Sequence, residues 1–180
     1  ERWPTVQALA EAPIEEVLQV WQGLGYYNRA RKLHEGAKVV VERYQGVLPA
    51  DIEQLRSIPG IGFYTAGAIG SIAYGLRAPA VDGNVLRVST RVLQYSEDIT
   101  KKPTVDFVWH QVYDWMEGSD PAVFTQAMME IGALVCTPKN PQCLICPLAS
   151  FCGAGQTGTW NQYPVKKKAK PPVELELYTY

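Results

Sequence analysis

Apolar residues recur every three or four positions along most of this chain, which is the spacing of α-helices with one buried face. Residues 29–44 show the pattern, because Leu33, Ala37 and Val41 fall on one side of a helix while charged side chains occupy the others. Asp120 followed by Pro121 is typical of an N-cap and a first helical residue. The pattern predicts a protein built from helices.

Helices are predicted over residues 29–44, 51–57, 64–74, 104–116 and 120–135. Two more are predicted to begin at residue 13 and after residue 84. Strand-like alternation is scarce before residues 174–178. The predicted fold class is therefore all-α. Residues 153–172 are marked by Gly, Pro and Lys and are predicted to be a linker, and the residues after it to be the first strand of a truncated unit.

Composition narrows the class of protein. The 180 residues are 47% apolar, which is ordinary for a globular chain, and no apolar run approaches the ~20 residues of a membrane span. The formal net charge is −1, yet cations concentrate in residues 29–43 and again in 166–170. The first residue is Glu rather than Met, so a fragment or a processed chain is expected.

All four cysteines lie within seventeen residues near the end of the chain, in the spacing C-x6-C-x2-C-x5-C. They are Cys136, Cys143, Cys146 and Cys152. Four thiolates this close together suit an iron–sulfur cluster. A structural zinc ion stays open as an alternative, although its usual pattern is two separated C-x2-C pairs. Disulfides fit poorly, because nothing else in the sequence suggests a secreted mini-protein.

The segment LRSIPGIGFYTA, residues 55–66, is a second motif. Pro59 ends one helix, and Gly60 and Gly62 permit a tight turn with positive φ. Backbone N–H groups of the turn and of the next helix would then point outward and suit a phosphate oxygen. A lone G-x-G would indicate only a turn between helices. The full pattern favours binding of the DNA backbone.

Asp82 in the segment VDGNV is a candidate catalytic carboxylate. Taken alone, Asp-Gly-Asn is typical of a turn with an N-cap. Its place shortly after the hairpin favours a further role, since a carboxylate beside a glycosidic bond can stabilise oxocarbenium-like charge and orient water.

Together these motifs resemble the endonuclease III superfamily of DNA glycosylases, and within it the adenine DNA glycosylases. The matching segments are GLGYYNRAR (23–31), the hairpin (55–66), VDGNVLRV (81–88), MEIGALVC (129–136) and the cysteine set. The resemblance covers residues 1–153. It implies a helix-hairpin-helix DNA glycosylase fold with a six-helix barrel module in 1–80, a [4Fe–4S] cluster module in 81–153, and in 154–180 a linker and the start of a truncated Nudix-like domain.

The resemblance also implies a function. The family removes adenine mispaired with 8-oxoguanine, so the expected partner is double-stranded DNA containing that mispair, bound by a monomer with no membrane association. The expected location is the bacterial cytoplasm or, in a eukaryote, the nucleus or mitochondria. Endonuclease III carries a nucleophilic Lys where this chain has Tyr64. A phenol cannot form an imine, so hydrolysis without strand cleavage is expected.

Residue roles follow by the same resemblance. Asp82 matches the catalytic Asp, Tyr64 lies near the flipped base and assists catalysis, and Glu130 contacts the adenine. Tyr26 corresponds to an aromatic wedge in the base stack, and Lys139 to a residue that contacts phosphate.

One departure affects the expected activity. The family's general acid is a Glu on an earlier helix, and neither Glu1 nor Glu16 has its register, so this chain is expected to be an incomplete core, inactive alone. Other hypotheses stay open: a DNA-binding module with a structural metal and no catalysis, a glycosylase of the superfamily with another base substrate, and, more weakly, an electron-transfer protein.

Overall fold

Helices joined by turns and loops make up residues 2–167, the part of the chain that the computed structural model describes. Nine α-helices run through these residues: α1 Val6–Glu11, α2 Ile14–Val20, α3 Tyr27–Tyr44, α4 Ile52–Arg56, α5 Phe63–Tyr74, α6 Gly83–Leu93, α7 Lys102–Trp115, α8 Pro121–Glu130 and α9 Gly153–Gln156. A π-helical turn, Ile131–Val135, extends α8, and 3₁₀ turns occupy Cys143–Ile145 and Trp160–Gln162. The all-α prediction is confirmed for the described residues.

Side-chain caps fix where several helices begin. Thr5, Asp51, Asp82 and Asp120 each accept a hydrogen bond from a backbone N–H in the first turn of the helix that follows. The predicted N-cap at Asp120 is confirmed, with Pro121 as the first helical residue. The predicted helix bounds agree with the observed ones to within a few residues, whereas α1 was not predicted and α9 lies in the segment predicted to be a linker.

Three apolar clusters hold the helices together. The first joins α1, α2 and α3 around Ala12, Val17 and Ala30. The second packs α3, α4 and α5 and places Leu55 and Ile58 in its centre. The third packs α6 against α7 and α8; its buried members are Val85, Val88, Val108, Val112, Met116 and Met128. Because the hairpin joins α4 to α5, the second cluster fixes the hairpin on the protein surface.

Helix α5 links the hairpin to the later half of the chain. Its Ser71 hydroxyl accepts a 2.9 Å hydrogen bond from Thr125 on α8, and both side chains are buried. At Gly67, α5 lies against the backbone of Pro79 and Ala80 with no room for a Cβ. The segment that leads into Asp82 is therefore held directly on α5.

Residues 153–167 belong to the predicted linker, but they pack on the protein. Arg91 donates to the carbonyls of Trp160 and Tyr163, each at 3.1 Å, and the Ile99 amide donates to the Val165 carbonyl at 3.0 Å. The predicted domain boundaries stay predictions, and the predicted strand near 174–178 lies outside the described residues. No helix among the described residues is long and apolar enough to cross a membrane.

Candidate functional site

The hairpin between α4 and α5 has the predicted tight turn with one correction. Gly60 has φ of +86°, which a side chain would strain, so the predicted positive φ is confirmed there. Gly62 has φ of −91° and ψ of −176°, an extended conformation that any residue can adopt. Its place explains the difference, because Gly62 is the N-cap of α5, and N-caps have extended backbone. Glycine has no side chain, so Gly62 makes no capping hydrogen bond to the first amides of α5.

Tyr64 is the second residue of α5 and exposes 40% of its surface. One turn later, Gly67 contacts the backbone that leads to Asp82. The fold thus brings the hairpin helix and the Asp82 loop to one region of the molecule.

The Asp82 carboxylate is held at the N-terminus of α6. One oxygen accepts a 2.8 Å hydrogen bond from the Val85 amide, and the other accepts a 3.1 Å bond from the Asn84 side chain. Asp82 is half-buried and is the N-cap of α6, as its sequence context predicted. Two bonds from its own loop fix the orientation of the carboxylate.

The π-helical turn after α8 meets this loop. A Cβ on Gly132 would lie 2.6 Å from the Asn84 Cβ, so only glycine allows the approach. Glu130, the last residue of α8, lies two positions earlier and is exposed. The predicted adenine-contacting residue and the predicted catalytic residue are therefore on adjoining segments.

Arg87 joins the Asp82 loop to the first cysteine. Its guanidinium donates to the carbonyls of Cys136 at 2.8 Å and Gly132 at 2.6 Å, and to the Asn84 side-chain oxygen at 2.9 Å. Burial lowers the pKa of Arg87 below its ordinary value. Sequence reasoning assigned no role to Arg87 or Arg91. Both arginines lie among apolar residues in the sequence of α6, which was the available signal that they are buried. A buried arginine requires fixed hydrogen-bond partners.

The four cysteines line one cavity of about 250 Å³, together with Arg91 and Trp160. Arg91 donates to the Cys136 Sγ at 3.3 Å, which places a positive charge beside a thiolate ligand. Burial raises the pKa of the Cys146 and Cys152 thiols, so binding there releases protons. Four thiols that share one cavity suit a multi-atom cluster.

Tyr26 stands out in the loop before α3. It has φ of +50°, exposes 81% of its surface and follows two further left-handed residues, Gly23 and Gly25. The Trp21 indole holds the loop by donating to the Gly25 carbonyl at 3.0 Å. A non-glycine residue in this conformation is strained, and such strain concentrates at functional sites.

Two further predicted residues lie on the surface. Lys139 is exposed in the turn between the first two cysteines, where its carbonyl accepts a 2.7 Å bond from Thr137. Glu16, whose register excluded it as the general acid, is paired with Arg2 at 2.6 Å.

Comparison with known proteins agrees with this geometry. The sequence profile described as "HhH-GPD superfamily base excision DNA repair protein" matches residues 1–112. This chain belongs to that superfamily. A second profile, the iron-sulfur binding domain of endonuclease III, matches residues 136–152 and confirms the cluster prediction, with the [4Fe–4S] type following the family.

Curated relatives of this HhH-GPD chain are named adenine DNA glycosylases. One from Rattus norvegicus is 48% identical over 161 residues, covering 87% of this chain and 30% of the relative. One from Buchnera aphidicola subsp. Schizaphis graminum is 37% identical over 177 residues, covering 98% of this chain and 51% of the relative. The chain spans between about a third and a half of the length of these relatives.

Solved structures of the superfamily show the same fold. A thermostable thymine-DNA glycosylase is 25% identical with a TM-score of 0.76, and endonuclease III in a non-covalent DNA complex is 28% identical with a TM-score of 0.72. Each match covers 87% of this chain and 72% of the other. The predicted helix-hairpin-helix glycosylase fold is confirmed.

Proposed function

We propose that this chain is the core of a monofunctional DNA glycosylase that removes adenine opposite 8-oxoguanine in base-excision repair. The observation that carries the proposal is the fixed Asp82 carboxylate beside the hairpin helix. The curated relatives are named adenine DNA glycosylases, which supports the choice of base.

Asp82 supplies the negative charge that the reaction needs. Cleavage of the glycosidic bond develops positive charge on the sugar, and a carboxylate on its face stabilises that charge. The bonds from Val85 and Asn84 hold the carboxylate in place, so little reorganisation is needed when the charge develops. The same carboxylate orients the attacking water.

Tyr64 favours hydrolysis over strand cleavage. Its phenol stands at the start of α5 where the endonuclease III type carries an amine nucleophile, and a phenol forms no Schiff base with the sugar. Its exposed ring lies near the flipped base and assists catalysis there. Glu130, exposed at the end of α8, contacts the adenine.

DNA binding uses surfaces on both sides of this region. The hairpin around Gly60 and Gly62 binds backbone phosphate through its amides, and Lys139 contacts a second phosphate. Tyr26, exposed and strained, enters the base stack and offsets part of the few kcal/mol that base flipping costs. The partner is double-stranded DNA with an A:8-oxoguanine mispair, and the protein acts as a monomer in the compartment that holds the DNA, whether bacterial cytoplasm, nucleus or mitochondrion.

The cluster has a structural part in this proposal. Cys136, Cys143, Cys146 and Cys152 would hold it, and when bound it supplies a rigid cross-link for the loop that carries Lys139. Arg87 and Arg91 then fix that loop to α6, the helix capped by Asp82.

Single-turnover base release tests the proposal. The substrates are duplexes with adenine opposite 8-oxoguanine and with a pyrimidine lesion, and the protein is used in the form in which the cell makes it. Asp82→Asn is expected to retain DNA binding and to lower adenine release by about 10²–10³-fold, since it removes the stabilising charge.

Asp120→Asn is the matched control, because Asp120 is also an aspartate N-cap and accepts bonds from Ala122 and Val123. It should leave base release unchanged. Release of the pyrimidine lesion with adenine spared would refute the substrate assignment. Binding without any release would favour a DNA-binding module with a structural metal.

A further inference from the structure

Arg56 and Phe63 form a pair across the base of the hairpin. Arg56 is the last residue of α4 and Phe63 is the first residue of α5, so the Pro59–Gly62 turn lies between them. The Arg56 guanidinium carbon lies 3.5 Å from the centroid of the Phe63 ring. Phe63 exposes 65% of its surface at the N-terminus of α5.

The Arg56 guanidinium is held in place but is accessible. Glu53, three residues earlier on α4, accepts a 2.7 Å hydrogen bond from one terminal nitrogen. The Arg56 side chain still exposes 30% of its surface. A guanidinium carries five N–H donors, and Glu53 accounts for one bond among the described residues. The remaining donors are free to bind a further acceptor.

A planar guanidinium seated on an aromatic ring is well suited to phosphate. It is weakly hydrated and always charged, and its donors match the oxygens of a phosphate. The ring and Glu53 remove most of the side-chain freedom in advance, so little entropy is lost when a ligand binds. Phe63 is exposed and belongs to none of the three apolar clusters described above. Its contact in the described residues is with the Arg56 guanidinium, which its ring supports.

We propose that Arg56, seated on Phe63, donates to a backbone phosphate of the DNA strand that the hairpin binds. This proposal rests on the DNA-binding function proposed above and adds a residue to it. Hairpin amides and Arg56 would then contact the same strand from adjacent positions, with Glu53 opposing the phosphate and limiting the affinity.

Arg77 provides a matched control. Its guanidinium lies 4.0 Å from the Tyr113 ring, and Glu117 approaches it to 3.8 Å, so it repeats the arginine–aromatic–glutamate arrangement. Its side chain exposes 32%, close to the value for Arg56. It lies three residues beyond the end of α5, a helix of 12 residues that is about 18 Å long and begins at Phe63. Arg77 is therefore a comparable side chain far from the hairpin, with one further bond, to the Tyr113 carbonyl.

Salt-dependent binding of the full chain tests the proposal. Fluorescence anisotropy would measure the affinity for a duplex with adenine opposite 8-oxoguanine, and for an undamaged duplex, between 50 and 200 mM salt. Arg56→Gln is expected to weaken binding to both duplexes by about 5- to 10-fold and to lower the slope of log K against log salt by about 0.9. Over that range the lost slope amounts to about a 3.5-fold change. Arg77→Gln should match the wild type.

Two more variants separate phosphate binding from a structural role. Glu53→Gln should strengthen binding at least about twofold, because it removes the opposing charge while the Gln side-chain oxygen can still accept the hydrogen bond that holds Arg56. Phe63→Leu should weaken binding about 2- to 5-fold, because it removes the cation–π seat but no charge. The Glu53→Gln result stands even if Arg56→Gln does not fold.

The outcomes are distinguishable from failure of the proposed function. A wild-type slope in folded Arg56→Gln, or no gain in Glu53→Gln, would overturn the role of Arg56 and leave the glycosylase proposal intact. A wild-type chain that binds neither duplex would overturn both.

Discussion

Replacing Arg91 with Met removes the most connected side chain of the cluster region. Arg91 exposes only 2% of its surface, and each of its three guanidinium nitrogens donates to at least one acceptor. The acceptors are the carbonyls of Trp160, Tyr163, Thr137 and Pro138 at 2.8–3.2 Å and the Cys136 Sγ at 3.3 Å. One side chain thus joins α6, the first cysteine and the segment after α9.

The expected loss of stability follows from these contacts. A hydrogen bond from a charged donor contributes about 1.5–3 kcal/mol, so three donating nitrogens contribute at least about 4.5 kcal/mol. Release of the buried charge offsets part of this by removing its desolvation cost. The net loss should be about 3 kcal/mol, a large share of the 5–15 kcal/mol typical of a domain. The melting temperature should fall by about 6–12 °C.

Thermal unfolding followed by circular dichroism, with iron content measured in parallel, checks this prediction. Arg91→Met should lose both stability and iron, since the loop that carries Cys136 is no longer fixed. Arg77→Met is the control: its guanidinium donates to one carbonyl, that of Tyr113 at 2.9 Å, and its loss should cost about 1.5 kcal/mol with no loss of iron. An Arg91→Met protein that melts within about 2 °C of wild type with full iron would show that the Arg91 hydrogen bonds do not hold the cysteine loop.

Three further predictions concern single residues. Gly132→Ala should cost about 1–3 kcal/mol in thermal unfolding and slow base release, because its Cβ would meet Asn84; unchanged release would contradict the close approach. Gly60→Ala should cost about 1–2 kcal/mol through its positive φ and weaken DNA binding in anisotropy, and wild-type stability and affinity would exclude strain in the hairpin. Hydrogen bonds from Thr100 lower the pKa of Asp98, so its contribution to stability is present above pH 3.8 and lost as pH falls below it; Asp98→Asn should abolish that acid dependence in urea unfolding, and an unaltered profile would count against it.

Local patterns predicted most of the helices and several features of the candidate site. Asp120 and Asp82 were predictable as N-caps because capping depends on a few neighbouring residues. The positive φ of Gly60 was predictable because it depends on the few residues of the turn. The cysteine spacing indicated a metal centre because all four ligands lie within seventeen residues. The positive φ expected at Gly62 was wrong, since whether a glycine closes a turn or caps a helix depends on where the next helix starts.

The helices, the hairpin turn and the cysteine set follow from the sequence, because each is encoded within a short segment, and the resemblance to the superfamily proposes Asp82, Tyr64 and Glu130 as site residues. The tertiary structure decided how these segments are joined. Arg87 and Arg91 lie on α6, yet apart from Asn84 their partners are 45 to 72 residues later in the chain. Such contacts depend on which helix faces pack together, and periodicity does not specify that. The link from the carboxylate to the cysteines is therefore a property of the packed molecule.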